Sequence, residues 1–313
     1  MKRWLALGLV VLLVVLAGCR APAPTGREKP AKLSVVATFF PLADFVRQVG
    51  GDRVEVTCLV PPGVSVHDWE PSPGDLTKIM QAKLFVYNGA GLEPWVGKVL
   101  PEYKGKAVEA VKGIRLLTFA EVGGGSEAHH SEAHHHHHGE IDPHAWLDPV
   151  NAQQYVKNIL EGLIAVDPEG ADYYRQRAKA YEEQLQELDR AYREAAAHFK
   201  HRELVVSHAA FGYLAKRYNL EQIPIAGLSP QAEPSPAKLA ELVRLVKERQ
   251  IKYVFFESPS NPRVAETLAR EAGVKALVLS PVAGLTPEEK SGAKGYLEVM
   301  RDNLRVLQQA LGE

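Results

Sequence analysis

Cysteine is nearly missing from this 313-residue chain, which has two, Cys19 and Cys58. So few exclude the multi-bridge frameworks of small secreted domains. Cys58 lies inside the apolar run "VEVTCLV" and reads as a small buried hydrophobe, with no thiol redox role expected. Net charge is missing too. Thirty-seven basic and 38 acidic side chains leave a formal charge of -1. No overall field therefore draws the protein to nucleic acid or to anionic lipid. The apolar stretch 5–16 falls short of the roughly 20 residues that a bilayer-spanning helix needs. Neither an HExxH metalloprotease motif nor a GxSxG nucleophile elbow occurs, which removes the two commonest short signatures of a hydrolase.

What is present begins with the first residues. Lys2 and Arg3 form a basic start, Leu5 to Leu16 an apolar core, and "LAGC" a small-residue close ending on Cys19. This is a signal-peptide pattern, and it resembles the bacterial lipoprotein signal, in which the cysteine becomes the acylated first residue. Acyl chains on Cys19 would hold the protein to the lipid bilayer from the extracytoplasmic side, periplasmic or cell-surface. With Cys19 lipidated, Cys58 has no partner for a disulfide. The Pro-rich, polar segment that follows reads as a tether.

Hydrophobic content of 46% and charged content of 24% are those of a globular protein, and the length suits two lobes. Short β-branched runs, 33–40, 54–60, 84–90, 203–208, 253–258 and 276–281, alternate with helical patterns such as 236–249 and 261–272. That alternation predicts an α/β fold with mainly parallel sheets. Between the halves, 171–200 holds neither Gly nor Pro. Its Tyr174, Ala178, Tyr181, Leu185, Leu188, Tyr192, Ala195 and Phe199 recur at steps of four and three. They form one apolar stripe, expected to face both lobes from a single rigid helix. The expected organisation is a signal peptide (1–18), a tether (19–32), an N-terminal α/β lobe (33–169) with a His-rich loop (123–140), an interlobe helix (170–200) and a C-terminal α/β lobe (201–313).

Histidine is the conspicuous residue, with twelve in the chain. Seven fall in "SEAHHSEAHHHHHGE": His129, His130, His134, His135, His136, His137 and His138. The segment has no apolar periodicity and reads as a surface loop that binds zinc weakly at several places. Of the others, His198 and His201 end the long helix beside Lys200 and Arg202 and are expected to favour the helix C-terminus. His67 in "PPGVSVHDWEPSPGDL", His144 in "DPHAWLDP" and His208 in "ELVVSH" occupy loops or strand ends, where an open α/β sheet presents its ligand crevice. Neutral imidazole suits zinc. Three imidazoles leave the dication uncompensated, so a carboxylate or water has to complete the site. Asp68, Glu70, Asp142 and Asp148 are near enough in sequence to ligate or to hold a ring nitrogen.

The motifs "VHDWEPSPGDL", "IDPHAWLDPVNA", "VVSHAAFGYLAKRYNL" and "FFESPSNPRVAETLAREAGVKALVLSP", in this order after a lipobox, resemble the metal-receptor lipoproteins of bacterial ABC importers, the zinc and manganese cluster of solute-binding proteins. The resemblance covers nearly all of the mature chain. It implies two α/β lobes joined by one long rigid helix, with the metal between the lobes. It carries metal ligation onto His67, His144 and His208. It further implies a membrane permease of an ABC importer as partner. Histidine at 208, where manganese-type members carry a carboxylate, favours Zn²⁺ over Mn²⁺. The chain departs from the pattern at Ser280, where members often have an aspartate ligand. The fourth position is thereby left to water or to an acid such as Glu257 or Asp142. The resulting expectation is a monomeric, non-enzymatic Zn²⁺ receptor. The two competing readings are a zinc-dependent hydrolase with an open three-His site, for which Glu257 is the best base, and a surface metal-buffering or adhesin lipoprotein acting through the tract.

Overall fold

Each half of the chain builds the same sheet. The computed structural model describes residues 31–123, 141–225, 234–257 and 263–312. In the first half, β1 (Leu33–Ala37), β2 (Val54–Cys58), β3 (Leu84–Tyr87) and β4 (Lys106–Glu109) lie in the order β2-β1-β3-β4. In the second, β5 (Glu203–Val206), β6 (Glu221–Pro224), β7 (Tyr253–Phe256) and β8 (Lys275–Val278) repeat it as β6-β5-β7-β8. All pairings are parallel. In each sheet the order reverses beside the first strand, at the β1/β3 and β5/β7 junctions. Loops leaving the strand carboxyl ends splay apart there and make room for a ligand.

The strands read as apolar runs because both faces are covered. Val35, Ala37, Leu84 and Val86 face one apolar cluster, while Val36 and Phe85 face another. Leu204, Val206 and Phe255 face the first cluster from the second sheet, and Val205 and Val254 turn to a third. The helices are α1 (Phe40–Gly50), α2 (Pro73–Gln81), α3 (Val96–Val99), α4 (Pro149–Val166), α5 (Ala171–Ala197), α6 (Gly212–Arg217), α7 (Pro236–Glu248), α8 (Arg263–Ala272), α9 (Pro287–Ser291) and α10 (Tyr296–Gly312). Three start on a capping side chain followed by proline. Ser72, Asp148 and Ser235 accept from the first-turn amides of α2, α4 and α7, where a proline costs no hydrogen bond.

The stripe of the long helix is where its spacing places it: Tyr174, Ala178, Tyr181, Leu185, Leu188, Tyr192 and Ala195 are all buried in α5. They join the cluster that also holds core residues of both sheets. The helix is therefore packed along its length by α1, α4 and α10. Tyr192 donates to the carbonyl of Met300 in α10 at 2.7 Å, and Tyr181 reaches Asp44 of α1 at 3.4 Å. Two lobes joined by one long, well-packed helix is the architecture expected above.

Two strands were not legible in the sequence. "KAVE" (β4) and "EQIP" (β6) are short and polar, and both lie at sheet edges. An edge strand buries little and carries charge and proline without penalty. The expected strand 84–90 ends instead at Tyr87, because Gly89, Ala90 and Gly91 take φ values of 88°, 52° and 79°. No strand continues through left-handed backbone. Cys58 is free and partly buried, and burial pushes its thiol up to about 11, an unreactive state. Cys19 lies outside the described residues, as do the tract histidines His129, His130, His134, His135, His136, His137 and His138.

Candidate metal centre

Loops from both halves bring His67, His144 and His208 together, with one ring nitrogen of each lying within 4.8 Å of the others. The His67 and His144 Nε2 atoms are 3.0 Å apart, and those of His208 and His144 are 3.4 Å apart. A tetrahedral ion with Zn–N bonds of about 2.0–2.1 Å needs nitrogen pairs roughly 3.3 Å apart. The observed spacing brackets that value.

The three arrive by different local routes. His67 is half-buried on the loop between β2 and α2, after the exposed turn Pro61–Val64, in which Gly63 takes φ 80°. Its backbone N–H donates to Ser65 Oγ at 3.3 Å. His144 is fully buried just before the 3-10 turn Ala145–Leu147. Asp142 Oδ1 accepts both its backbone N–H at 2.9 Å and its Nδ1–H at 2.7 Å. His208 follows β5, and Glu257 follows β7, so the two stand across the β5/β7 junction. Glu257 Oε1 accepts from Ser207 Oγ at 2.8 Å, from the His208 backbone N–H at 3.3 Å and from His208 Nδ1.

The chemistry follows from these contacts. A carboxylate on Nδ1 selects the tautomer with the proton there, which leaves Nε2 as a bare lone pair. His144 and His208, the two rings so backed, point those lone pairs at each other across 3.4 Å, and they repel. A shared cation converts that repulsion into bonding. Burial, then the neighbouring His144 and His208, depresses the His67 pKa to about 2. Burial holds His144 well below its ordinary value. Both rings are neutral donors over the whole physiological range. Burial pushes Asp142 up to about 8, and a dication on the far side of the His144 ring favours its ionised form. Asp142 and Glu257 thus place carboxyl groups behind two of the three rings, on the side away from the converging Nε2 atoms.

Several acids weighed from sequence have other work. Asp148 caps α4 and pairs with Arg217 at 2.6 Å. Glu70 is exposed. Asp142 and Glu257 each back a histidine through one oxygen, Oδ1 and Oε1, while Asp142 Oδ2 is buried without a hydrogen-bond partner. Ser280 is tied into the polypeptide. Its Oγ accepts from the Val282 N–H at 3.1 Å, and Asn303 brackets its backbone at 2.9 and 2.7 Å. His198 is exposed at the end of α5, and His201 lies three residues on, both away from the cluster.

Sequence reasoning missed the frame around the cluster. Tyr213 donates to the carbonyl of Asp142 at 2.9 Å and accepts from Leu117 N–H at 2.9 Å. Gly212 lies so close that a Cβ there would sit 2.8 Å from Asp142 Oδ2 and 2.4 Å from Val122. Trp146 donates to the carbonyl of Pro281 at 2.8 Å, and Tyr296 donates to the carbonyl of Trp146 at 2.6 Å. These contacts join residues some 70 to 150 positions apart, and no local motif announces them.

The family model described as zinc-uptake complex component A, periplasmic (ZnuA), matches residues 35–310. The high-affinity zinc uptake system protein ZnuA of Bacillus subtilis (strain 168) is 42% identical, over 99% of this chain and 98% of that protein. The zinc-binding lipoprotein AdcA of Streptococcus pneumoniae (strain ATCC BAA-255 / R6) is 41% identical over 90% of this chain, which spans 56% of that longer relative. Among solved structures, the Zn(II)-bound ZnuA-like domain of Streptococcus pneumoniae AdcA is similar at a TM-score of 0.77 and 39% identity, covering 90% of this chain and 100% of that domain. The fold, the match along nearly the whole sequence and the level of identity lead to one conclusion: the chain belongs to the ZnuA family.

Proposed function

We propose that this protein is a high-affinity extracytoplasmic Zn²⁺ receptor that delivers its ion to the membrane permease of an ABC importer, with His67, His144 and His208 as the ligands. The observation that carries the reading is the convergence of three ring nitrogens within 4.8 Å, with the His144 Nε2 at 3.0 and 3.4 Å from those of His67 and His208, and two of the rings backed by buried carboxylates. Zinc suits an all-imidazole set better than manganese, which prefers oxygen. The names of the zinc-uptake and zinc-binding relatives agree with that choice. The protein binds and releases its ion without chemistry, a reading that the zinc-uptake family and relatives support. Acylated Cys19 anchors a monomer to the membrane, and 19–32 tethers the two lobes, 33–169 and 201–313, to it.

Calorimetric titration of the protein with Zn²⁺ and Mn²⁺ tests this reading. One tight zinc equivalent and weaker manganese binding are expected. His144→Ala and His208→Ala each lower the tight-site affinity by about 100-fold or more, beyond the loss typical of removing an outer partner. Tight zinc binding that survives either substitution excludes this ligand set.

A further inference from the structure

At the β5/β7 junction, Glu257 holds a histidine directly. Among the described residues, the equivalent β1/β3 junction in the first sheet holds no histidine. It has a buried polar chain instead. Thr38, just after β1, donates to Glu93 Oε1 at 2.6 Å. Asn88 N–H donates to the same oxygen at 2.8 Å, and Gly89 N–H donates to Oε2 at 3.1 Å. Thr38 and Asn88 are fully buried and Glu93 is 7% exposed. Around this carboxyl the backbone makes a tight turn of three consecutive left-handed residues, Gly89, Ala90 and Gly91. Ala90 has a Cβ, so it pays for that conformation in strain. A Cβ at Gly89 would fall 2.4 Å from Oε1 of the exposed Glu109 side chain, which would have to swing aside.

The loop delivers the Asn88 side chain to the metal centre. Its Oδ1 accepts from Tyr155 OH of α4 at 2.8 Å, and its Nδ2 donates to the carbonyl of Pro143 at 3.1 Å. A carbonyl only accepts, so the amide orientation is determined by the network. Pro143 immediately precedes His144. Its carbonyl belongs to the peptide unit that His144 N–H completes, and that N–H donates to Asp142. The peptide plane leading into the ligand is thus gripped on one edge by Asp142 and on the other by Asn88.

We infer that Asn88, held in place by Glu93, is a positioning residue of the metal centre: its amide grips the Pro143 carbonyl and so sets the aim of the His144 ring. The inference rests on His144 being a ligand. Three donors on Glu93, a strained turn and a fully buried amide are a costly way to support an ordinary loop. A ligand that has to be held to a few tenths of an ångström gives them a purpose.

Cobalt(II) loaded in place of zinc reports ligand geometry through its visible d–d absorption, and a chelator chase reports the zinc dissociation rate. Asn88→Ala is expected to shift the cobalt bands and to speed zinc release about tenfold, the low end for loss of an outer partner. Glu93→Gln, which leaves Asn88 and every histidine in place but turns a donor toward Gly89 N–H, moves both readouts in the same direction and serves if Asn88→Ala does not fold. Val99→Ala, a cavity in the separate cluster behind α2 and α3, lowers stability without moving the cobalt bands. His144→Ala is run in parallel. If it leaves zinc binding intact, the ligand assignment fails. If it abolishes tight binding while Asn88→Ala and Glu93→Gln keep wild-type bands and release rates, the positioning inference alone fails. A band shift in Val99→Ala as large as in Asn88→Ala also overturns it, since general loosening then accounts for both.

Discussion

A buried carboxyl is the most informative single group in this molecule, and three of them do different work. Asp142 and Glu257 each accept from a histidine Nδ1. Replacing either by alanine frees the ring to rotate and leaves its N–H unpaired in an apolar setting. Zinc affinity is expected to fall about 10- to 100-fold in Asp142→Ala and in Glu257→Ala, with one bound zinc retained. Competition against a zinc chelator of known affinity measures it, and unchanged affinity in both variants would falsify their role. Glu93 offers a different test. Burial pushes its pKa from 4.5 to about 7, against the pull of Thr38, Asn88 and Gly89. A folded-state pKa above the unfolded one means that the folded protein holds the proton more tightly. The associated stability is fully present below about pH 4.5 and is lost as pH rises through 7. Relative to Glu93→Gln, the wild type should lose about 3 kcal/mol between these limits. Urea denaturation of both proteins across that range checks it, and parallel pH profiles would contradict it.

At the scale of elements, α5 was the most legible feature and the edge strands β4 and β6 the least. A stripe at steps of three and four over 27 residues has one folded interpretation, and every helical member of the expected stripe is buried. The helix earns its rigidity from packing. Its mean hydropathy is low, and its stability comes from the apolar face laid against α1, α4 and α10. Leu185, fully buried at mid-helix, should therefore cost about 2–5 kcal/mol when cut to alanine. Thermal or denaturant unfolding measures this, and a loss below 1 kcal/mol, roughly a surface value, would contradict it. The edge strands β4 and β6 escaped notice because four polar-leaning residues carry no periodicity. Only pairing with a neighbour makes them strands. Residues 88–90, the start of the turn that runs to Glu93, were read as strand for a related reason. Its "NGAG" signals a break, but the carboxyl that organises it sits at the far end, on Glu93.

At the scale of the whole molecule, the cluster depends on both halves. His67 and His144 come from the first and His208 from the second. Their approach is set by a core continuous through both sheets and the long helix. The His-rich tract lies outside the described residues, and the three histidines converge among the described residues alone. Deleting 124–139 should leave one tight zinc site at unchanged affinity and remove the weaker equivalents seen in calorimetry. Loss of the tight site on deletion would return the tract to the centre of the function. Unchanged total stoichiometry would show that it binds no zinc.

By itself the sequence determined the class of the protein: the leader and lipobox pattern, the alternation of β and α elements, the striped helix and three isolated histidines in loop settings. These are written in local order, in residue type and spacing, because secondary structure and targeting signals are short-range. What the tertiary structure decided is which of those histidines meet and what holds them. Asp142 touches His144 from two residues away and could be guessed. Glu257 reaches His208 across 49 positions, Asn88 reaches Pro143 across 55, and Tyr213 reaches Asp142 across 71. Such pairs exist only once parallel strands have brought their carboxyl ends side by side. The donors were therefore readable one at a time, while their geometry, tautomers and buried partners came from the fold.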